Sequence, residues 1–231
     1  AGGDHTCVLL EGGKAYCFGR NLGMLGQGDT VDRGAADYLE SNAIDLPGYV
    51  QQVAPSINYF SCFVHSEQAN GTGTRNVSCT GANGYGQMGA DQNISSINMP
   101  SLVPLGTGVD VQSVSSGFFH VCAVVRIGGV NGDRLKCWGG TREGFGELGY
   151  GDSAVRGDGF GAPEMGDRLP TVDLGFGVDT GNGYHVSKVS CASHRTCAIL
   201  CDYPCTESSV RYAKCFGSNK FDALGYARQD P

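Results

Sequence analysis

Short runs in which apolar and polar residues alternate recur along the whole chain and are separated by glycine-rich turns. The first two runs are residues 5–10 and 15–19, with the turn-forming stretch Glu-Gly-Gly-Lys between them. Alternation with a period of two is typical of half-buried β-strands, and a short turn between two such runs predicts a β-hairpin. No helical period extends beyond two turns, so the pattern predicts an all-β protein.

The same hairpin recurs three more times with different turns, over residues 57–81, 118–139 and 193–217. A short alternating run precedes each of these later hairpins, at residues 50–56, 111–117 and 186–192. Residues 44–47, 101–105 and 170–174 supply a fourth candidate strand. Four short strands in each repeat match a β-propeller blade. We therefore predict one repeat domain, with approximate repeats 1–49, 50–108, 109–184 and 185–231.

Each hairpin leads into one sequence motif, which opens with Cys, any residue and Gly and closes with an apolar residue and Gly. In three copies an Asn stands two residues after the first Gly. The four copies are CFGRNLGMLGQGD (17–29), CTGANGYGQMGAD (79–91), CWGGTREGFGELGYGD (137–152) and CFGSNKFDALGY (215–226). Four imperfect copies indicate a repeat architecture.

This combination resembles the regulator of chromosome condensation repeat. The residues that carry the resemblance are His-Thr-Cys, the hairpin, Cys-Phe-Gly-Arg-Asn and Leu-Gly-Gln-Gly, and it extends over nearly the whole chain. The repeat also occurs in a beta-lactamase inhibitory protein, and the two define one propeller superfamily. The cysteine-paired hairpins are similar to secreted and bacterial members, not to the nuclear exchange factor. Family propellers usually have seven blades, so the resemblance implies that four hairpins form part of a larger or open propeller.

Eleven cysteines are present, and eight of them recur as one pair in each hairpin. Cysteines on adjacent strands near the same register can form a cross-strand disulfide. We predict the pairs Cys7–Cys17, Cys62–Cys79, Cys122–Cys137 and Cys197–Cys215. Cys191, Cys201 and Cys205 have no counterparts in the other repeats. For these we expect one bridge from Cys191 to Cys201 or to Cys205, which leaves one thiol over.

This cysteine usage indicates an oxidising compartment, because none of the four recurring pairs has the short ligand spacing of a zinc knuckle. Three N-glycosylation sequons agree with a secreted or cell-surface location, at Asn70, Asn76 and Asn93. The net charge is −7 and there is no basic stripe, which argues against nucleic acid as a partner. No apolar run is long enough for a spanning helix. The chain opens almost directly on a strand, so we expect that upstream sequence has been removed.

Several residues are candidates for chemistry, and for each a structural role is favoured. His5 and His120 precede a hairpin cysteine by two residues and share its face of the strand, without a convergent set of ligands. Phe18, Trp138 and Phe216 follow the second cysteine and are expected to pack between blades. We expect no catalytic residue, metal or cofactor, because no catalytic or phosphate-binding motif occurs.

The glycine-rich stretch 149–166 contains the tripeptide Arg156-Gly157-Asp158. In an exposed loop such a tripeptide can be bound by integrin-type receptors, although it also arises by chance in Gly- and Asp-rich sequence. Four acidic residues in and beside the stretch are candidates for binding Ca²⁺, but their spacing matches no known Ca²⁺ loop and a solvated loop is favoured: Asp152, Asp158, Glu164 and Asp167.

Together these features predict an extracellular, disulfide-braced, glycosylated structural or scaffolding protein and not an enzyme. It would act through contacts with protein partners, which include copies of itself or neighbouring subunits of a fibrous surface assembly. The alternative is a propeller binding or inhibitor module for one protein partner. A guanine-nucleotide exchange factor is less favoured, because the cytosol and nucleus keep thiols reduced.

Overall fold

A computed structural model describes residues 1–34, 42–140, 143–175 and 184–225. Twelve strands and two short 3-10 helices are named here within these ranges. The strands are β1 His5–Leu10, β2 Lys14–Gly19, β3 Tyr49–Pro55, β4 Phe60–Ser66, β5 Arg75–Ala82, β6 Ser96–Leu102, β7 Val109–Ser116, β8 His120–Ile127, β9 Arg134–Gly139, β10 Tyr184–Ala192, β11 Arg195–Asp202 and β12 Arg211–Gly217. The 3-10 helices are Gly166–Arg168 and Lys220–Asp222. Tyr226, which ends the fourth motif, lies outside the described residues.

The strands form four separate antiparallel sheets, each of which is one blade. Blade one is β1-β2, blade two is β3-β4-β5-β6, blade three is β7-β8-β9 and blade four is β10-β11-β12. Each predicted hairpin is present, as β1/β2, β4/β5, β8/β9 and β11/β12. The predicted all-β class of short antiparallel strands is thus confirmed.

The predicted fourth strands are wrong in detail. Residues 44–47 and 170–174 are not strands, and only the first two residues of 101–105 belong to one, β6. Residues 101 and 102 pair with Cys79 and Ser78 of β5, so blade two has its fourth strand. Outside the strands, each segment donates one backbone hydrogen bond to the returning strand of its blade: Ile44 to Ala15 (2.9 Å), Val103 to Val77 (2.9 Å) and Val172 to Leu135 (2.8 Å). Each also contains a proline, which lacks the N–H needed to extend a ladder.

The first glycine of the motif is required by a close backbone crossing. Gly81 has φ +113°, and a Cβ there would lie 2.3 Å from the carbonyl oxygen of Tyr59. The next residue, Ala82, donates its N–H to that same carbonyl at 2.7 Å. Only glycine combines this backbone conformation with so close an approach. The same crossing occurs in the other three blades, at Gly19 over Asp4, Gly139 over Phe119 and Gly217 over His194.

The motif asparagine holds the loop that follows. Asn21 Oδ1 accepts hydrogen bonds from the N–H groups of Gly23 (2.9 Å) and Leu25 (3.3 Å). Asn83 Oδ1 accepts from Met88 N–H at 3.0 Å, and its Nδ2 donates to two carbonyls across the loop. Because both side chains are almost fully buried, these bonds replace the water that the loop backbone would otherwise need.

The last glycine of the motif receives an aromatic ring from the next blade. Trp138 is fully buried, and its indole N–H donates to Gln87 O at 2.9 Å. A Cβ at Gly89 would lie 3.0 Å from Trp138 Cδ1, and one at Gly149 would lie 2.6 Å from Phe216 Cε2. The expected packing of these two rings between blades is confirmed, whereas Phe18 is half-buried in blade one.

The contact between blades one and two and the contact between blades three and four each contain a buried histidine paired with a hydroxyl group. His5 Nε2 lies 2.8 Å from Ser61 Oγ, and His120 Nε2 lies 2.8 Å from Thr196 Oγ1. At the second contact the corresponding residues are Phe60 and Val121, both fully buried in one apolar cluster. The two histidines therefore have the structural role that their repeat position predicted.

The structure contains the four predicted hairpin disulfides and one more, Cys201–Cys205. The expected bridge from Cys191 is therefore wrong, and Cys191 is the remaining thiol. Cys201 is the last residue but one of β11 and Cys205 lies in the turn that follows, so the two meet locally. Cys191 pairs in register with Thr196, near the opposite end of β11, and its Sγ lies 3.7 Å from Thr196 Oγ1.

The side of blade four that faces away from blade three is less covered than the matching side of the inner blades. Val64, Val124 and Ile199 each stand two residues after the first hairpin cysteine, on the same strand face. Val64 and Val124 are 1% and 2% exposed, whereas Ile199 is 37% exposed. Among the described residues, no strand pairing joins blade four to blade one.

Candidate protein-binding cleft

A cleft of about 590 Å³ opens at the end of the blades where the motif loops lie. Blade two contributes the loop after β5, with Tyr85, and the segment before β6, with Asn93. Blade three contributes Phe119, just before β8, and blade four contributes His194, from the turn between β10 and β11. The glycine crossings fix the start of each hairpin at this end, so three blades position one site.

Aromatic rings form much of the cleft wall. The ring centroids of Tyr85 and Phe119 are 4.2 Å apart at 44°, and those of Phe119 and His194 are 5.9 Å apart. Phe118 and Phe145 support them from behind, with Phe145 4.7 Å from His194. Tyr85 is 37% exposed and Phe160, at the mouth, is 54% exposed. Exposed rings fixed by such neighbours offer contact area at a low cost in side-chain entropy.

Two carboxylates, Glu143 and Asp158, give the cleft its charge. Asp158 is buried and its Oδ1 accepts the N–H of Phe160 at 2.9 Å, whereas Glu143 is exposed. No lysine or arginine occurs among the described lining residues. The site is therefore concave, aromatic and acidic.

The three sequons lie in different surroundings. Asn70 is exposed in the turn between β4 and β5, and its Oδ1 accepts a hydrogen bond from Thr72 Oγ1 at 2.7 Å. Asn76 lies within β5 opposite His65 and is half-buried. Asn93 is exposed and lines the cleft. Glycosylation of each stays a prediction, and a sugar on Asn93 would stand at the cleft mouth.

Within the Arg156-Gly157-Asp158 tripeptide, Arg156 is held by contacts within blade three. The Arg156 guanidinium binds both carboxylate oxygens of Asp152, at 2.8 and 3.1 Å, and lies 4.3 Å from the centroid of the Tyr150 ring. Its backbone forms a bridge with Gly139. Receptor binding by the tripeptide stays a prediction, and these contacts weigh against it.

Blade one repeats this arrangement, which accounts for the arginine without a receptor. Arg33 binds both carboxylate oxygens of Asp29, at 2.8 and 2.7 Å, and its backbone bridges to Gly19. In both blades the aspartate precedes the arginine by four residues. The Asp29 pKa is lowered to about 2, mainly through its hydrogen bond to Arg33.

The candidate Ca²⁺ ligands do not converge. Asp152 is paired with Arg156, and Asp167 accepts the Thr107 N–H and hydroxyl. Glu164 Oε2 accepts the N–H of Gly157 at 3.1 Å. Two His–Cys groups do come together in the described part of the chain. Each includes disulfide-bonded cysteine, which is not available as a thiolate ligand: His120 with Cys122 and Cys191, and His185 with Cys201 and Cys205.

Tandem blades of short antiparallel strands that pack face to face define a β-propeller segment. Residues 1–22 and 77–124 match the models of the Regulator of chromosome condensation (RCC1) repeat. The chain belongs to the RCC1-repeat propeller superfamily.

Comparison with known proteins gives relatives that are longer than this chain. It is 30% identical over 179 residues to human "Probable E3 ubiquitin-protein ligase HERC4", which covers 75% of the chain and 15% of that protein. Human WBSCR16 aligns with TM-score 0.61 and 19% identity over 87% of this chain and 44% of that one. Yeast RCC1 (Prp20), crystallised with Kap60, aligns with TM-score 0.57 and 18% identity over 87% and 42%. At these identities the structures establish the fold alone.

Sequence reasoning missed the cleft. Its aromatic residues precede hairpins or lie in loops, at positions that are not repeated among the motif copies. They also come from three different repeats. One signal was available in the sequence. The residue just before the first strand of each hairpin is Asp4, Tyr59, Phe119 or His194. These four residues lie at the same end of the blades.

None of the described helices has the length and apolar character to cross a membrane.

Proposed function

We propose that this chain is an extracellular binding module that holds a protein partner in the aromatic cleft of a disulfide-braced propeller. The observation that carries the proposal is the cleft itself, which loops of three blades build on hairpins that are each closed by a disulfide. Rings and carboxylates on a rigid frame are suited to recognition, because little ordering is needed on binding.

The extracellular location rests on cysteine chemistry. Ten of the eleven cysteines are in disulfides, which persist in oxidising compartments and are rare where glutathione keeps thiols reduced. The exposed sequons at Asn70 and Asn93 support the same proposal. An intracellular exchange factor would not retain this framework.

Photo-crosslinking from the cleft tests this function. A benzoylphenylalanine in place of Tyr85 would sit in the cleft wall, and one in place of Tyr203 would sit at the other end of the blades. Tyr85 and Tyr203 have similar exposure, 37% and 43%. In the medium of cells that secrete the chain, we expect a protein adduct from position 85 and none from 203. Absence of an adduct at 85, or equal adducts at both, contradicts the proposal.

Self-assembly is a second candidate function, favoured by the uncovered side of blade four. Ile199 is 37% exposed there, and Val210, in the adjoining turn, is 62% exposed. A contact between blade four of one copy and blade one of another is heterologous and gives an open filament if the rotation does not close. Sedimentation velocity separates the two candidates: a concentration-dependent series of oligomers supports assembly, and a single monomer peak contradicts it.

A further inference from the structure

At the contact between blades one and two, side chains of the chain itself occupy the position that corresponds to the cleft. There the Arg20 guanidinium lies 5.4 Å from the centroid of the Tyr59 ring and 3.2 Å from a carboxylate oxygen of Asp4. One cation thus contacts an aromatic face and an acid at once. Cation–π contact of this kind is favourable even at exposed sites.

At the next two contacts the ring before the strand stays, and the residue at the position of Arg20 is not a cation. Phe119 and His194 occupy the position of Tyr59, just before the inner strand of their blades. The residue after the motif glycine, which is Arg20 in blade one, is Ala82 in blade two and Gly140 in blade three. Phe119 and His194 both line the cleft.

The acidic groups in the cleft complete the match. Glu143 and Asp158 line the space that Phe119, Tyr85 and Phe160 surround, in a chain of net charge −7. Glu143 is exposed, and a guanidinium can pair with its carboxylate while it stacks on a neighbouring ring. Long-range attraction from the negative chain would also speed its capture.

We propose that the cleft binds an arginine side chain from an exposed basic segment of the protein partner, in the manner of Arg20 on Tyr59 and Asp4. This inference rests on the proposed function and names the chemistry of its partner. An oligosaccharide stacked on the same rings is the competing occupant.

Binding of short peptides to the intact chain tests the proposal. The probe is a fluorescent decapeptide of alternating Arg and Gly, and its matched control has citrulline, which keeps the shape of arginine without the charge. A Ser95→Ala background removes the Asn93 sequon, so that no sugar stands in the mouth. We expect the arginine peptide to bind at least tenfold more tightly than the citrulline peptide, and to weaken with salt. Equal affinities overturn the proposal.

Two pairs of variants locate the binding. Ala82→Arg introduces the residue that blade one has at the corresponding position, Arg20. We expect its side chain to occupy the cleft and to reduce peptide affinity about tenfold. Ala213→Arg adds the same charge on exposed β12, away from the cleft, and should reduce affinity less than twofold. Glu143→Gln should weaken binding about threefold, and Glu207→Gln, an exposed acid in the turn before β12, should not. Equal effects within either pair overturn the proposal.

The outcome is separable from that of the proposed function. A protein adduct from position 85 together with no preference for arginine leaves the binding module intact and overturns this inference. Binding of chitotriose, but not of the arginine peptide, to the same background also overturns it and assigns the cleft to carbohydrate.

Discussion

His120 donates its Nε2 proton to Thr196 Oγ1, 2.8 Å away in the next blade. The Thr196 hydroxyl gives its own single proton to Glu147 O at 2.8 Å, so its oxygen must accept from the imidazole. The imidazole is fully buried, and a second proton would be added where burial isolates it from water. This relationship ties the contact between blades three and four to one neutral histidine.

Folding stability should therefore fall as the pH drops below the ordinary range of histidine. Burial lowers the His120 pKa to about 3 and the His5 pKa to about 4. Between these values and about 6.5 the unfolded chain binds protons that the folded chain does not, so acid favours unfolding. Each histidine contributes a slope of up to roughly 1.4 kcal/mol per pH unit. Urea unfolding from pH 6.5 to 5 measures it, and His120→Gln should reduce the slope by about one proton.

Gly89 tests the packing of Trp138 between blades. A Cβ at Gly89 would lie 2.7 Å from Val103 Cγ1 and 3.0 Å from Trp138 Cδ1, whereas one at Gly108 would meet nothing within 4 Å. Both glycines have positive φ, at +57° and +67°, so Ala at either has a similar backbone cost. We expect Gly89→Ala to be more destabilising than Gly108→Ala by about 1–3 kcal/mol, as for overpacked cores. Equal losses in denaturant unfolding would show that the ring is not tightly held.

The hairpin disulfides should contribute to stability by limiting the unfolded chain. Cys62–Cys79 encloses a separation of 17 residues and Cys201–Cys205 one of 4. On the chain-entropy model the first contributes roughly 3 kcal/mol and the second less. Thermal and urea unfolding of the two double Cys→Ser variants compares them. A larger loss of stability on removal of Cys201–Cys205 than on removal of Cys62–Cys79 would contradict this expectation.

Cys191 should be a poor nucleophile in the folded protein. Burial raises the pKa of its thiol to about 11, against hydrogen bonds from Thr196 and Ser115 that lower it. Since only the thiolate reacts, we expect slow alkylation by iodoacetamide at pH 8 and rapid alkylation after unfolding. Mass spectrometry over time gives both rates. Rapid reaction of the native chain would contradict this expectation.

The Arg-Gly-Asp tripeptide should not support receptor adhesion in the native chain. Arg156 is bound to Asp152 and stacked on Tyr150, so its guanidinium would have to leave both before a receptor could take it. Cell-adhesion assays on the folded protein, with a linear peptide of residues 153–161 as positive control, measure this. Adhesion that Asp158→Glu abolishes would contradict the expectation.

The sequence predicted what one repeat can encode by itself. Local alternation and turn residues were sufficient for the hairpins, and opposite cysteines in a hairpin were sufficient for their pairing. A fourth strand forms in blade two, as β6, but residues 44–47 and 170–174 are not strands. Each of these two segments contains a proline and keeps one backbone hydrogen bond to the returning strand. The partner of Cys201 was wrong, since a bridge within one turn was not considered. The cleft could not be predicted, because Tyr85, Phe119 and His194 converge only after three blades have packed.

The two ends of the blades differ in their freedom to change length during evolution. At the cleft end, the motif loops also differ in length, but the close approach of Gly81 to the Tyr59 carbonyl leaves no room for a residue added at the crossing itself. At the other end the turns already differ in length: residues 11–13, 67–74, 128–133 and 203–210 join the paired strands. Insertions, tags or whole domains placed in these turns would leave the binding end undisturbed. New surface features can thus be acquired at one end while recognition at the other is inherited unchanged.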